Sequence, residues 1–144
     1  MRRNMSILLI MLAVFLVPQK SMAAGDLSRQ SPTTVKIQLG TKDDRHVFRP
    51  NRLTFETGKL YRLVLTNPSP STHDFTSAEF VASVWTRKVQ DSAMEVKGTI
   101  QEVEVFPGAV VEWWFVPVRT GTFRLICEEA NHDEMGMVGK ITVK

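Results

Sequence analysis

The feature that most constrains this chain is a series of short stretches in which apolar and polar residues alternate, each closed by a turn-forming residue. Val35, Ile37 and Leu39 alternate with Lys36 and Gln38. Val47 and Phe48 lead through Pro50 to Leu53 and Phe55, and Gly58 marks a turn. Residues 60–66 (LYRLVLT), 99–106 (TIQEVEVF), 109–117 (AVVEWWFVP), 122–127 (TFRLIC) and 139–144 (GKITVK) continue the series. The turn signals include Asn67-Pro68, Pro107-Gly108 and Thr120-Gly121. A period of two places every second side chain on one face of a strand, which a helix of period 3.6 does not do. Seven or eight such strands predict an all-β sandwich or barrel. Only residues 77–90 break the pattern. There Phe80, Val84 and Trp85 stand at helical spacing, which suggests a short helix or an irregular excursion with Trp85 covering the barrel.

The first 24 residues are of another kind. Arg2 and Arg3 precede an apolar run from Met5 to Val17, broken only by Ser6, and Ser21, Ala23, Ala24 and Gly25 follow a polar break. This is the layout of a secretory signal peptide, with cleavage after Ala23 or Ala24. An uncleaved anchor is the competing reading, but the 13 residues of this run span only roughly 20 Å of a ~30 Å hydrocarbon core. No stable membrane insertion is expected after cleavage, and the location is periplasmic or otherwise exported. Residues 25–33 are polar and read as a flexible N-terminal arm, which leaves 34–144 as a single domain. The net charge of +3 is misleading. Setting aside Arg2, Arg3 and Lys20 leaves 15 of the 18 basic residues against 15 acidic ones. A near-neutral domain removes the main support for nucleic-acid binding.

An exported chain with one cysteine cannot form an internal disulfide, so Cys127 calls for an explanation. Intermolecular pairing is one answer and metal ligation is another, because ligation holds the sulfur as a thiolate. Period-two alternation places Phe123, Leu125 and Cys127 on one face, with Cys127 at the strand end. The following loop carries His132 and delivers Met137, in the spacing Cys-x4-His-x4-Met. Thiolate, imidazole and thioether together are donors that copper prefers. A second imidazole is needed, and His73 follows the loop after the 60–66 strand, beside Phe75. Two His, one Cys and a weak axial Met make the blue-copper arrangement.

With these residues in place, the chain resembles the cupredoxin family, the small blue-copper proteins that include plastocyanin, azurin and rusticyanin. The Cys-x4-His-x4-Met spacing is like that of rusticyanin. The resemblance covers most of 34–144 and rests on Phe48, Pro50 and Leu53, Gly58, Asn67 ahead of His73, Pro107-Gly108, Pro117, Gly121-Thr122-Phe123 and Gly136 to Gly139. It implies a Greek-key β-sandwich and one type 1 copper ion held by His73, Cys127, His132 and Met137. It also implies that Asn67 helps to hold two ligand loops together. The expected activity is one-electron transfer, not enzyme catalysis, in a monomer whose partner is a cytochrome, an oxidase-like protein or another redox protein. The alternative is a periplasmic copper-binding protein for resistance, storage or delivery, with a copper-handling partner.

Blander readings stand beside each residue. A lone buried Cys is most often a small core hydrophobe, and a lone loop His is most often exposed. His46, beside Arg45 at a strand edge, is expected to be solvated, and Met135 is the competitor of Met137. Trp113 and Trp114 must face opposite sides of their strand. The loop departs from the family in its acids, Glu128, Glu129, Asp133 and Glu134, which would favour Cu(II), steer a cationic partner or simply be solvated. Glu128 directly after Cys127 lacks the His that would link a multicopper oxidase to further coppers, and it opposes an activated cysteine nucleophile.

Overall fold

A computed structural model describes residues 25–144, so the leader expected over 1–24 lies outside it. The alternating stretches form strands β1 (Thr33–Leu39), β2 (Phe48–Arg49), β3 (Arg52–Phe55), β4 (Tyr61–Thr66) and β5 (His73–Thr76). A four-residue helix, α1 (Ala78–Val81), follows. The chain then continues through β6 (Val84–Gln90), β7 (Glu95–Val96), β8 (Glu102–Val105), β9 (Val110–Pro117), β10 (Gly121–Ile126) and β11 (Val138–Val143). One sheet has the order β2-β1-β4-β9-β6-β7 and the other β3-β11-β10-β5-β8. Two pairings are parallel, β1 with β4 and β11 with β3, and the rest are antiparallel.

The inner faces meet as the alternation requires. Ile37, Leu39, Leu63, Leu65, Trp113, Phe115, Phe123, Leu125 and Ile141 are all buried. Trp113 packs its ring 4.5 Å from Phe115, 5.7 Å from Phe80 and 6.1 Å from Phe75, centroid to centroid. Such aromatic packing adds to the burial of apolar area, which dominates the stability of a core this size.

Residues 77–90 open with the expected short helix and then depart from the expectation at Val84. The helix is only four residues long, and Val84–Gln90 is a seven-residue strand paired with β9. Its neighbours decide this, because β9 offers a free edge and the β-branched Val84, Thr86 and Val89 suit it. Phe80 is buried inside the barrel, whereas Trp85 is 46% exposed on the outer face and does not cover it. With the two-residue strands β2 and β7, this gives eleven strands instead of seven or eight. The 25–33 segment makes a 3-10 turn at Leu27–Arg29, and the Gln30 amide donates to the Gly58 carbonyl at 2.8 Å.

The five-stranded sheet positions the site. β5 opens with His73, which pairs with Val105 of β8. β10 and β11 pair up to Ile126 and Val138, so Cys127 and Met137 face each other one step past the ladder. The Cys127 N–H donates to the Met137 carbonyl at 3.3 Å.

Candidate metal centre

Three predicted donors converge. The Nδ1 atoms of His73 and His132 are 3.2 Å apart, and Cys127 Sγ lies 3.8 Å from the first and 3.4 Å from the second. A point about 2.0 Å from all three corners exists, which matches metal–nitrogen and metal–thiolate bonds of ~2.0–2.3 Å. The fourth residue, Met137, is fully buried in the same apolar cluster as Cys127, whereas its competitor Met135 is exposed. All four predicted residues are therefore brought to one end of the sandwich, and the donor set suits a single type 1 copper.

Each position has a local cause. His73 is fixed by the β5–β8 ladder and by Gly40, whose φ of +70° lets the backbone pass against the imidazole. The 127–137 loop is held by its own hydrogen bonds. His132 N–H donates to the Glu129 carbonyl at 2.8 Å, Met137 N–H to the His132 carbonyl at 2.9 Å and Gly136 N–H to the Asp133 carbonyl at 3.0 Å. Ala130 and Asn131 adopt left-handed φ values of 45° and 60° to complete this tight turn. At the centre, the Asp74 N–H donates to Cys127 Sγ at 3.2 Å. A backbone donor aimed at sulfur stabilises negative charge there.

The electrostatics follow from burial. Desolvation, with help from His132 and His46, lowers the His73 pKa to about 4. Desolvation and His46 also lower that of His132. Both rings are therefore held neutral, as metal ligation requires. Desolvation raises the Cys127 thiol, against the opposing N–H groups of Asp74 and Glu129. Desolvation raises Asp74 to about 6, and Glu102, Glu129, Glu104 and Glu128 add to the shift.

Two expectations need correction. His46 is not solvated. It is half-buried and stacked on His132, with ring centroids 3.9 Å apart and planes 27° from parallel. The cause is the 40–47 connection, which folds over the site with Asp44 Oδ1 accepting from the Ser69 hydroxyl at 2.9 Å. The only sequence signal was that the chain holds just three histidines, and all three gather here. Asn67 is buried and holds one ligand loop, not two. Its Nδ2 donates to the carbonyls of Ser71 and Val105 at 2.8 Å, and its Oδ1 accepts from the Ser69 N–H at 2.9 Å. These bonds tie the segment before His73 to the end of β8. The sequence also gave no sign of the Asp74 N–H.

Trp113 and Trp114 divide as the alternation requires. Trp113 is in the core, and Trp114 lies on the outer face with Arg62, Arg87 and Lys88 within 5.1–5.9 Å of its ring.

No protein-family model matches the sequence, and neither does any curated protein. Solved structures do match. Auracyanin from Roseiflexus castenholzii superposes with a TM-score of 0.57 at 19% identity, over 80% of this chain and 99% of that one. Auracyanin B gives 0.53 at 19% identity, over 80% and 91%. A multicopper oxidase from Pediococcus acidilactici gives 0.63 at 13% identity, over 98% of this chain but 31% of its own. The chain spans about a third of the multicopper oxidases it matches and nearly the whole of an auracyanin. At these identities the likeness is one of fold.

Proposed function

We propose, for a chain that has the cupredoxin fold, that it is an exported one-electron carrier using type 1 copper bound by His73, Cys127, His132 and Met137. The observation that carries this is the triangle of Nδ1, Nδ1 and Sγ with sides of 3.2–3.8 Å. Copper, when bound, supplies the Cu(II)/Cu(I) couple. The protein's part is to fix the donors. His73 stands on a strand, and Cys127 and Met137 stand at the mouth of a hairpin. The His132 loop is closed by its own backbone hydrogen bonds, including those of the His132, Gly136 and Met137 N–H groups. Donors that cannot move keep one geometry for both oxidation states, which lowers the reorganisation that accompanies electron exchange. His73, Cys127 and Met137 are wholly buried, which excludes water from the sulfur. The Asp74 N–H, a backbone donor, holds charge on the thiolate.

The test is optical. Copper-loaded protein should show an intense thiolate-to-Cu(II) band near 600 nm, or split toward 450 nm, and Cys127→Ser should abolish it. A colourless loaded protein would defeat the reading.

The acidic surface supports a second reading, copper storage or delivery. Carboxylate oxygens of Asp74, Glu104 and Glu129 lie within 4.8 Å of one another beside the Cys127 loop. Concentrated negative charge attracts cations to that surface. Voltammetry separates the two. Reversible, fast exchange at a defined potential favours the carrier, and transfer of copper to an apo-acceptor favours delivery.

A further inference from the structure

The copper reading uses two of the three histidines gathered at this end of the molecule. The third, His46, lies in the connection between β1 and β2, outside any strand. Its ring stacks on His132 and meets His73 edge-on, with centroids 5.6 Å apart and planes 72° from parallel. One nitrogen from each of the three rings lies within 4.8 Å of the other two. The Nδ1 of His46 is buried and has no hydrogen-bond partner. A buried polar atom left unpaired costs about 1–3 kcal/mol, so a bare nitrogen beside two other imidazoles points to a ligand.

We propose that His46, His73 and His132 form a three-imidazole site for a borderline divalent cation, zinc(II) or copper(II), on the solvent side of Cys127. The chemistry fits, because imidazole suits both ions. Metal–nitrogen bonds of ~2.0–2.1 Å set the nitrogens of a tetrahedral site about 3.3–3.4 Å apart. The His73–His132 pair already stands at 3.2 Å. Completing the site requires His46 to close by up to about 1.5 Å from a 4.8 Å separation and to turn out of its stack on His132, because ring lone pairs lie in the ring plane and those of two nearly parallel rings do not meet on one ion. The backbone of the 40–47 connection is held, by Gly40 N–H to the Val47 carbonyl, Asp44 N–H to the Thr41 carbonyl and the Ser69 hydroxyl to Asp44, all at 2.9 Å, so the movement is that of the His46 side chain, which stands outside both sheets. Asp44 sits two residues before His46 and adds a carboxylate to the same approach.

This site needs no thiolate and goes beyond the electron-carrier reading. It shares His73 and His132 with the Cys127 set, so a single ion occupies one set or the other. His46 then provides a place where a cation is held before it reaches the buried sulfur.

The experiment removes the sulfur and keeps the rings. Cys127→Ser protein is titrated with zinc chloride against a chromophoric zinc chelator. One zinc per chain is expected, and adding His46→Phe, which keeps an aromatic ring against His132, should weaken binding at least tenfold. His46→Gln in the same background is measured in parallel and should show the same loss, so the result does not depend on one variant folding. Equal zinc affinity with and without His46 would overturn the proposal. The thiolate–copper band of the unaltered protein is a separate readout. Its absence, together with a His46-dependent zinc site, would remove the electron-carrier reading and leave this site standing.

Discussion

His73 and Asp74 are neighbours whose burial acts in opposite directions with pH. The His73 pKa is depressed to about 4, so its contribution to stability is complete above the ordinary value of 6.5 and is lost as pH falls toward 4. His132 and His46 crowd it and Asp44 opposes them. The Asp74 pKa is raised to about 6, so its contribution is complete below the ordinary 3.8 and is lost as pH rises through 6. In the metal-free protein the two largely offset each other between about pH 4 and 6. Asp74→Asn leaves the histidine arm alone, so denaturant unfolding of this apo-variant should show stability rising more steeply with pH than in the parent. Parallel profiles would contradict the assignment. Asn67 makes a second prediction at this scale. Asn67→Ala removes three hydrogen bonds, two of them buried, and leaves the Ser71 and Val105 carbonyls without their donor. Urea unfolding should show a loss of about 2–4 kcal/mol.

Among the elements, the β1–β2 connection and the 127–137 loop decide the site. Gly40 illustrates the first. A Cβ there would strike His73 Nε2 and come within 2.7 Å of Ser69 Cβ, at a φ of +70° that disfavours any side chain. Gly40→Ala should therefore displace His73 and weaken copper binding by an order of magnitude or more in a chelator competition. Unchanged affinity would show that His73 does not depend on this contact. The same elements show how far the sequence could be read. β4, β9 and β10 were legible because their inward residues are strictly alternate and apolar. β6 was not, because VWTRKVQ lies at the sheet's outer region with most side chains half-exposed or exposed, so the β9 edge decides its conformation. Cys127, His132 and Met137 were legible because one hairpin and its loop carry them at fixed spacing. The place of His46 was not. Nothing in residues 40–47 signals that the connection folds back over the site, and a hydrogen bond that Asp44 accepts from the Ser69 hydroxyl, 25 residues away, holds it there.

For the whole molecule, copper should act as a staple between distant parts of the chain. The proposed ligands span residues 73 to 137 and join β5 to the β10–β11 hairpin, whose one ladder pair with β5 is Ile126–Thr76. A ligand bound only by the folded state stabilises it by mass action, about 2.7 kcal/mol at a hundredfold excess over Kd. Thermal unfolding should therefore shift upward on copper addition in the parent protein and much less in Cys127→Ser. The central claim is that these donors, from two separated stretches, meet on one ion. Copper X-ray absorption of the loaded protein tests this most directly. The account predicts two nitrogen scatterers near 2.0 Å and one short sulfur at about 2.2–2.3 Å. A copper shell of nitrogen and oxygen alone, with no short sulfur, would contradict it.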